Sequence, residues 1–162
     1  MNSSSKISHC DGDGNASMVD VGDKAVSHRF ARAGCSVKFN PDIFADVLEG
    51  NSKKGAVVEI ARFAGIAAAK KTSELIVMCH AIALDAVDVK IAPCPSGEPL
   101  MIVECTATCH GKTGVEMEAM TGASVAALTL YDMTKCLDKS IVISDLRLLE
   151  KAGGKSGHFR AK

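Results

Sequence analysis

The stretch that decides the fold is GKTGVEMEAMTGASVAALTLYDMTKCL, Gly111 to Leu137. Gly111 and Gly114 punctuate its start, and no proline follows. Small and apolar residues recur at Val115, Ala119, Gly122, Ala126, Leu130, Met133 and Leu137, in steps of four and three. That period predicts one long helix with an apolar stripe laid on the core. A second stripe lies about 100° round the axis: Glu118, Thr121, Val125, Leu128, Asp132 and Lys135. Its middle is apolar and its ends are charged. Two readings follow. Either the helix is buried on two sides and its charges emerge at the ends, or it spans an interface with a functional site at each end. At about 1.5 Å of rise per residue, Glu118 and Asp132 stand about 21 Å apart, too far to grip one small ligand from the same chain. If both are functional, a neighbouring subunit completes the pocket.

Working outward, Leu100 to Cys109 alternates, with Met101, Val103, Cys105, Ala107 and Cys109 on one face. Ala86 to Ile91 alternates too, and the turn Pro93 to Pro99 joins the two into a hairpin. After the helix, Ile141 to Leu149 reads as a strand whose apolar phase shifts, predicting a bulge near Ser144-Asp145. Lys151 to Lys162 is a basic, glycine-rich tail. Further upstream, Asn40-Pro41 starts a helix, Asn as N-cap and Pro at the first position, which runs to Glu49 and closes at Gly50. Asn51 to Lys54 is a short basic loop. Gly55 to Lys71 is an alanine-rich helix, apolar on most sides and so expected to be buried, and Thr72 to Ile76 a further helical turn. Val77 to His80 reads as strand-like, and a strand is expected around Cys35 to Phe39. Met1 to Ala16 has the polar composition of a flexible leader. No internal repeat is present. Hairpins rather than regular βαβ units separate the helices, so the fold class is α+β, an antiparallel sheet with helices on one face.

Composition narrows the function. The chain has 162 residues, enough for one domain. The net charge of zero argues against a non-specific nucleic-acid binder. No apolar run reaches membrane-spanning length and no secretory signal opens the chain. The seven cysteines, an odd number without a regular framework, read as reduced thiols in a cytosol-like compartment. The mitochondrial matrix is the alternative if a transit segment has been removed.

Several short motifs carry candidate chemistry. Gly153-Gly154-Lys155-Ser156-Gly157 invites a phosphate, but it lacks the first glycine of a Walker loop and the helix that should follow. A basic terminus without fixed structure is the plainer reading. Cys105 and Cys109 share a strand face in the apolar phase, so buried thiols are favoured over metal ligands, and no metal is assigned. Cys79 and His80 are neighbours in a strand-like stretch and would point to opposite sides. Asp132 and Lys135, three apart, form a plain salt bridge or an aspartate that sets a catalytic lysine. Glu116 and Glu118 sit where a helix dipole favours carboxylates. Arg29 and Arg32 read, on sequence alone, as surface charges.

Taken together, KKGAVVEIARFAGIAAAKKTSELIVMCH, GKTGVEMEAMTGASVAALTLYDMTK and LLEKAGGKSGHF resemble the cyclic pyranopterin monophosphate synthases, the C protein of molybdenum-cofactor biosynthesis. The resemblance covers residues 17 to 160, in the right order. It implies a ferredoxin-like α+β fold: a flexible leader over 1–16 and a single synthase domain over 17–162, with a flexible Gly/Lys-rich loop at 151–158. It also implies a homohexamer, a trimer of dimers, with active sites between subunits. The implied reaction turns 3′,8-cyclo-7,8-dihydroguanosine 5′-triphosphate into cyclic pyranopterin monophosphate and diphosphate by general acid–base catalysis. No cofactor is required for that chemistry, and Mg²⁺ enters only with the released diphosphate. Carried over residue by residue, Asp132, Lys135 and Lys54 are catalytic, while Met78, Cys79, His80, Met117, Glu118, Glu116, Lys155 and Arg29 hold the substrate. The chain departs from the family pattern in lacking both prolines around Cys79-His80, where Val77 and Ala81 stand. Gly122 stands where Ala is commoner. A nucleotide-binding homologue without catalysis is the alternative reading. Retention of Lys54, Asp132 and Lys135 together argues against it.

Overall fold

A computed structural model of the chain describes residues 15–49 and 56–162. The elements run β1 (Ser27–Lys38), α1 (Pro41–Leu48), α2 (Val57–Ala69), α3 (Thr72–Leu75), β2 (Ala86–Pro93), β3 (Leu100–Gly111), α4 (Glu116–Thr134), β4 (Val142–Ala152) and β5 (Phe159–Arg160). The sheet is five-stranded, in the order β2-β3-β1-β4-β5, and every pairing is antiparallel. A β-α-β-β-α-β chain whose first four strands lie in that order is the ferredoxin-like arrangement. β5 extends one edge of it.

The alternation along β3 sets the layers. Met101, Val103, Cys105, Ala107 and Cys109 are buried on one face, against α4, and β1 pairs with β3 along its whole length. On α4, Val115, Ala119, Gly122, Ala126, Leu130 and Met133 are all buried, as the stripe requires. Leu137 lies beyond the end of the helix and is exposed. Small residues let α2 come close to α4. A Cβ on Gly65 would stand 2.8 Å from the Gly122 carbonyl oxygen, and one on Gly122 would stand 2.5 Å from Cys105 Sγ. Gly122 therefore occupies a position where backbone, helix and sheet meet without room for a methyl group.

The N-cap of α1 is as expected: the Asn40 side chain accepts from the Asp42 N–H, and Pro41 leads the helix. The bulge in β4 also falls where the phase shift placed it. Its pairing with β1 skips a residue between Ser144 and Arg147, and Asp145 adopts φ 58°.

Four expectations need correction. β1 begins at Ser27, well before Cys35, because its full length is covered by β3 and β4. Val77 to His80 is not a strand; among the described residues no strand pairs with it, and the Cys79 N–H turns back to the Ile76 carbonyl. The tail is not a terminus without regular structure: β4 continues through Ala152, and β5 returns to pair with Glu150 and Lys151. Finally, α2 is not buried on most sides. Val57, Ala61, Gly65, Ala68 and Ala69 are buried, while Ile60 and Phe63 are exposed. The closing glycine at Gly50, the basic loop with Lys54 and most of the expected leader lie outside the described residues.

Candidate active site

The site begins with the turn after α3. The Cys79 N–H donates to the Ile76 carbonyl at 2.9 Å, which reverses the chain within four residues. Val77 sits at the apex, 88% exposed. Because this is a turn, Cys79 and His80 do not point to opposite sides as strand neighbours would. Both line one cavity of about 500 Å³ together with Met78, Met117, Glu116 and Glu118. The turn holds without the family's flanking prolines because hydrogen bonds fix it. His80 Nε2 lies 2.8 Å from the Val19 carbonyl oxygen. A carbonyl only accepts, so Nε2 carries the proton and the ring is tied to the N-terminal segment.

A larger cavity of about 970 Å³ adjoins it, bordered by Arg29, Lys24, Lys112, Lys151 and Lys155. The two share Lys24, Thr113, Gly114 and Glu116 as a common wall. Three loops build the larger cavity: the N-terminal turn at 20–24, the link from β3 to α4, and the link from β4 to β5. Arg29, projecting from β1, holds two of them. Its Nε donates to the Gly111 carbonyl (3.2 Å) and an Nη to the Lys112 carbonyl (3.3 Å). Gly153 and Gly154, at φ 96° and 76°, pack on the other side. A Cβ on Gly154 would collide with the Arg29 guanidinium, and one on Gly153 with the His28 carbonyl. Arg29 thus acts first as a brace for the loops, where the sequence suggested a phosphate ligand or a plain surface charge.

The electrostatics divide the two chambers. Glu118 is only 4% exposed. Burial pushes its carboxyl above the usual carboxylate value, its own backbone hydrogen bond opposes this, and the nearby Glu116 charge adds to it. Cys79 is pushed up too, first by burial and then by Glu118, so it stays a thiol beside Glu118 rather than a ready nucleophile. In the larger chamber the Lys151 ammonium lies 3.1 Å from Glu116 and donates to Ser156 Oγ at 2.6 Å. Lys112 donates to the Gly22 carbonyl, pinning the 20–24 turn. The buried thiols Cys105 and Cys109 face the helix layer; burial raises both, Cys105 to about 12. Among the described residues no three His, Cys, Asp or Glu side chains converge on one metal position.

Asp132 and Lys135 are at the other end of α4. They pair at 2.6 Å on the exposed surface. Asp132, through its hydrogen bond and then its charge, raises the Lys135 pKa above the usual lysine value. Of the residues singled out from sequence, Met78, Cys79, His80, Met117, Glu116 and Glu118 come together, and Arg29 and Lys155 line the adjoining chamber. Asp132 and Lys135 do not join them, and Lys54 lies outside the described residues. Lys24, Lys112, Thr113, Gly114 and Lys151 were missed. Lys112, Thr113 and Gly114 carried a signal, standing directly before the first turn of the long helix. Lys24 carried none, being a lone lysine in a polar segment.

No helix among the described residues is long and apolar enough to cross a membrane. A family model, the MoaC family, matches residues 18–154. The match runs from the segment that His80 anchors to the glycine packed on Arg29, so it takes in the smaller chamber, all of the larger one but Lys155 and Ser156, and the whole of α4. The chain belongs to the MoaC family, lyase-type enzymes of molybdenum-cofactor biosynthesis.

Proposed function

We propose that the protein converts 3′,8-cyclo-7,8-dihydroguanosine 5′-triphosphate into cyclic pyranopterin monophosphate with release of diphosphate. The observation that carries this reading is the pair of joined chambers, one cationic and one holding a buried carboxyl. A nucleotide-derived triphosphate has that same division. Its phosphates suit the chamber of Arg29, Lys151 and Lys155, and its base suits the chamber of Glu118, His80 and the two methionines. Glu118 meets the donor edge of the base, and His80 supports the rearranging ring. No cofactor takes part in this reading, and Mg²⁺ is confined to the leaving diphosphate.

The acid–base pair comes from elsewhere. Asp132 keeps Lys135 protonated, so Lys135 enters as an ammonium able to donate a proton or to neutralise a developing anion. Asp132 stands about 21 Å along α4 from Glu118. A homohexamer, a trimer of dimers, brings the Asp132–Lys135 end of one subunit, with Lys54, to the two chambers of the next. The test is turnover of the cyclic dihydro-GTP intermediate, read as pterin product and diphosphate, by wild type, Lys54→Ala, Asp132→Asn and Lys135→Ala. Wild-type turnover is expected to collapse in all three with folding intact. Mixed hexamers of inactive Lys135→Ala and inactive His80→Ala subunits should regain part of the activity, since some interfaces then carry both intact halves. Failure of the mixture to recover would overturn the shared site. Absence of wild-type turnover would overturn the reaction.

A further inference from the structure

The shared wall between the chambers contains one cation, Lys24. The other cations of the larger chamber are engaged or set apart. Arg29 is committed to the Gly111 and Lys112 carbonyls, Lys112 to the Gly22 carbonyl, and Lys151 to Glu116 and Ser156. Lys155 borders the larger chamber only. Lys24 makes no side-chain ion pair among the described residues, and it is not on a loose end. Its N–H donates to the Val21 carbonyl at 3.1 Å, and Asp20 closes the same turn by accepting from the Gly22 N–H at 2.7 Å. Lys112 from one side and His80 from the other tie that turn to the site through Gly22 and Val19.

We infer that Lys24 is the ligand of the α-phosphate, the phosphate attached to the sugar, and stabilises that phosphorus as it is cyclised. This rests on the reaction proposed above. A substrate with its base in the smaller chamber and its terminal phosphates in the larger one crosses the wall at its α-phosphate, where Lys24 stands. In the step itself a sugar-derived hydroxyl oxygen bonds to the α-phosphorus while the bridging P–O bond to the β-phosphate breaks. The electron pair of that bond departs with diphosphate, and the hydroxyl proton passes to the site's base. Charge builds on the non-bridging α-oxygens, and an ammonium beside them is worth more there than in the ground state.

The experiment compares wild type with Lys24→Ala, Lys24→Gln and Lys24→Arg. Lys24→Ala and Lys24→Gln are expected to lose about 100-fold in kcat, the usual effect of removing one such donor, with melting temperature and assembly unchanged. Lys24→Arg should recover part of it. A second readout does not need turnover: calorimetric binding of guanosine 5′-monophosphate and of diphosphate. Lys24→Ala should weaken the monophosphate about 10-fold and leave diphosphate as in wild type. Equal weakening of both would place Lys24 on the leaving group and overturn the assignment. So would full turnover in Lys24→Ala, or a wild type that binds diphosphate but no guanosine monophosphate. Absence of wild-type turnover with the monophosphate contrast intact would remove the reaction and keep Lys24 as the phosphate ligand at the wall.

Discussion

Glu118 shows how a single buried residue ties stability to pH. A carboxyl whose folded pKa is raised keeps its proton over a pH range where the unfolded chain has already lost it. The folded state is then favoured at the acid side of that range and loses the advantage as pH rises through it. Glu118 is in that position because burial outweighs its backbone hydrogen bond. Glu118→Gln keeps the shape and removes the titration. The variant should gain melting temperature relative to wild type as pH rises from 4 toward neutrality, and should lose turnover. A constant difference across that pH range, measured by thermal melts, would contradict the raised pKa. The position of this residue was legible in the second stripe of α4, but its burial was not: the charges at the ends of that stripe were expected to emerge, and Glu118 is 4% exposed. Its companions were partly legible: the Cys79-His80 pair was singled out, but as strand neighbours facing apart. The run Leu75-Ile76-Val77-Met78 has the composition of a strand, and only the missing partner strand and the Cys79–Ile76 hydrogen bond make it a turn. Tertiary context decided that, as it does for short apolar runs.

Among the elements, α2 and α4 set a limit that helix propensity alone would misjudge. Gly to Ala inside a helix ordinarily stabilises by about 1 kcal/mol. At Gly122 the added Cβ would sit 2.5 Å from Cys105 Sγ and 3.2 Å from the Gly65 carbonyl oxygen. Both neighbours are fixed in packed elements, so the helix must shift off the sheet. Gly122→Ala should therefore destabilise by about 1–3 kcal/mol, the usual range for overpacking, as read from chemical denaturation. A stabilised variant would show that the α2–α4 contact gives way easily. The existence of these elements was plain from their periods: α4 from its steps of four and three, β2 and β3 from alternation, the β4 bulge from a broken phase. The β4–β5 hairpin was not plain, because glycine-rich composition reads as flexibility. Here Gly153, Gly154 and Gly157 each take positive φ, so the same residues build a specific link between two strands.

Across the whole molecule, the second stripe of α4 changes character along its length. Glu118 and Thr121 are buried, Val125 is half-buried, and Leu128 is 58% exposed. The reading of a helix buried on two sides holds for its first half only. The second half presents exposed Leu128 near Asp132 and Lys135, an apolar side chain next to the proposed acid–base pair. If subunits meet there, Leu128→Asp should break the assembly into smaller species by light scattering and remove activity, while leaving the far-ultraviolet dichroism unchanged. An intact hexamer from that variant would move the interface elsewhere on the subunit. The sequence pointed to the separation of Glu118 from Asp132 through the length of one helix, and that separation is what the proposed shared site rests on. It did not disclose which groups form the wall between chambers, because Lys24 reaches it only through tertiary contacts of a turn with no helical or strand period.

The bulge in β4 also bears on how this protein behaves when crowded or partly unfolded. β5 covers only the end of β4, so from Val142 to Leu148 the outer edge has no neighbouring strand among the described residues. A straight, apolar edge of that length would be a template for other chains and a start for fibrils. Asp145, at φ 58°, interrupts the middle of that strand with a bulge, and its carboxylate accepts from Ser144 and from Ser36 of the neighbouring β1. A single residue in a left-handed conformation thus breaks the straight edge that such growth needs.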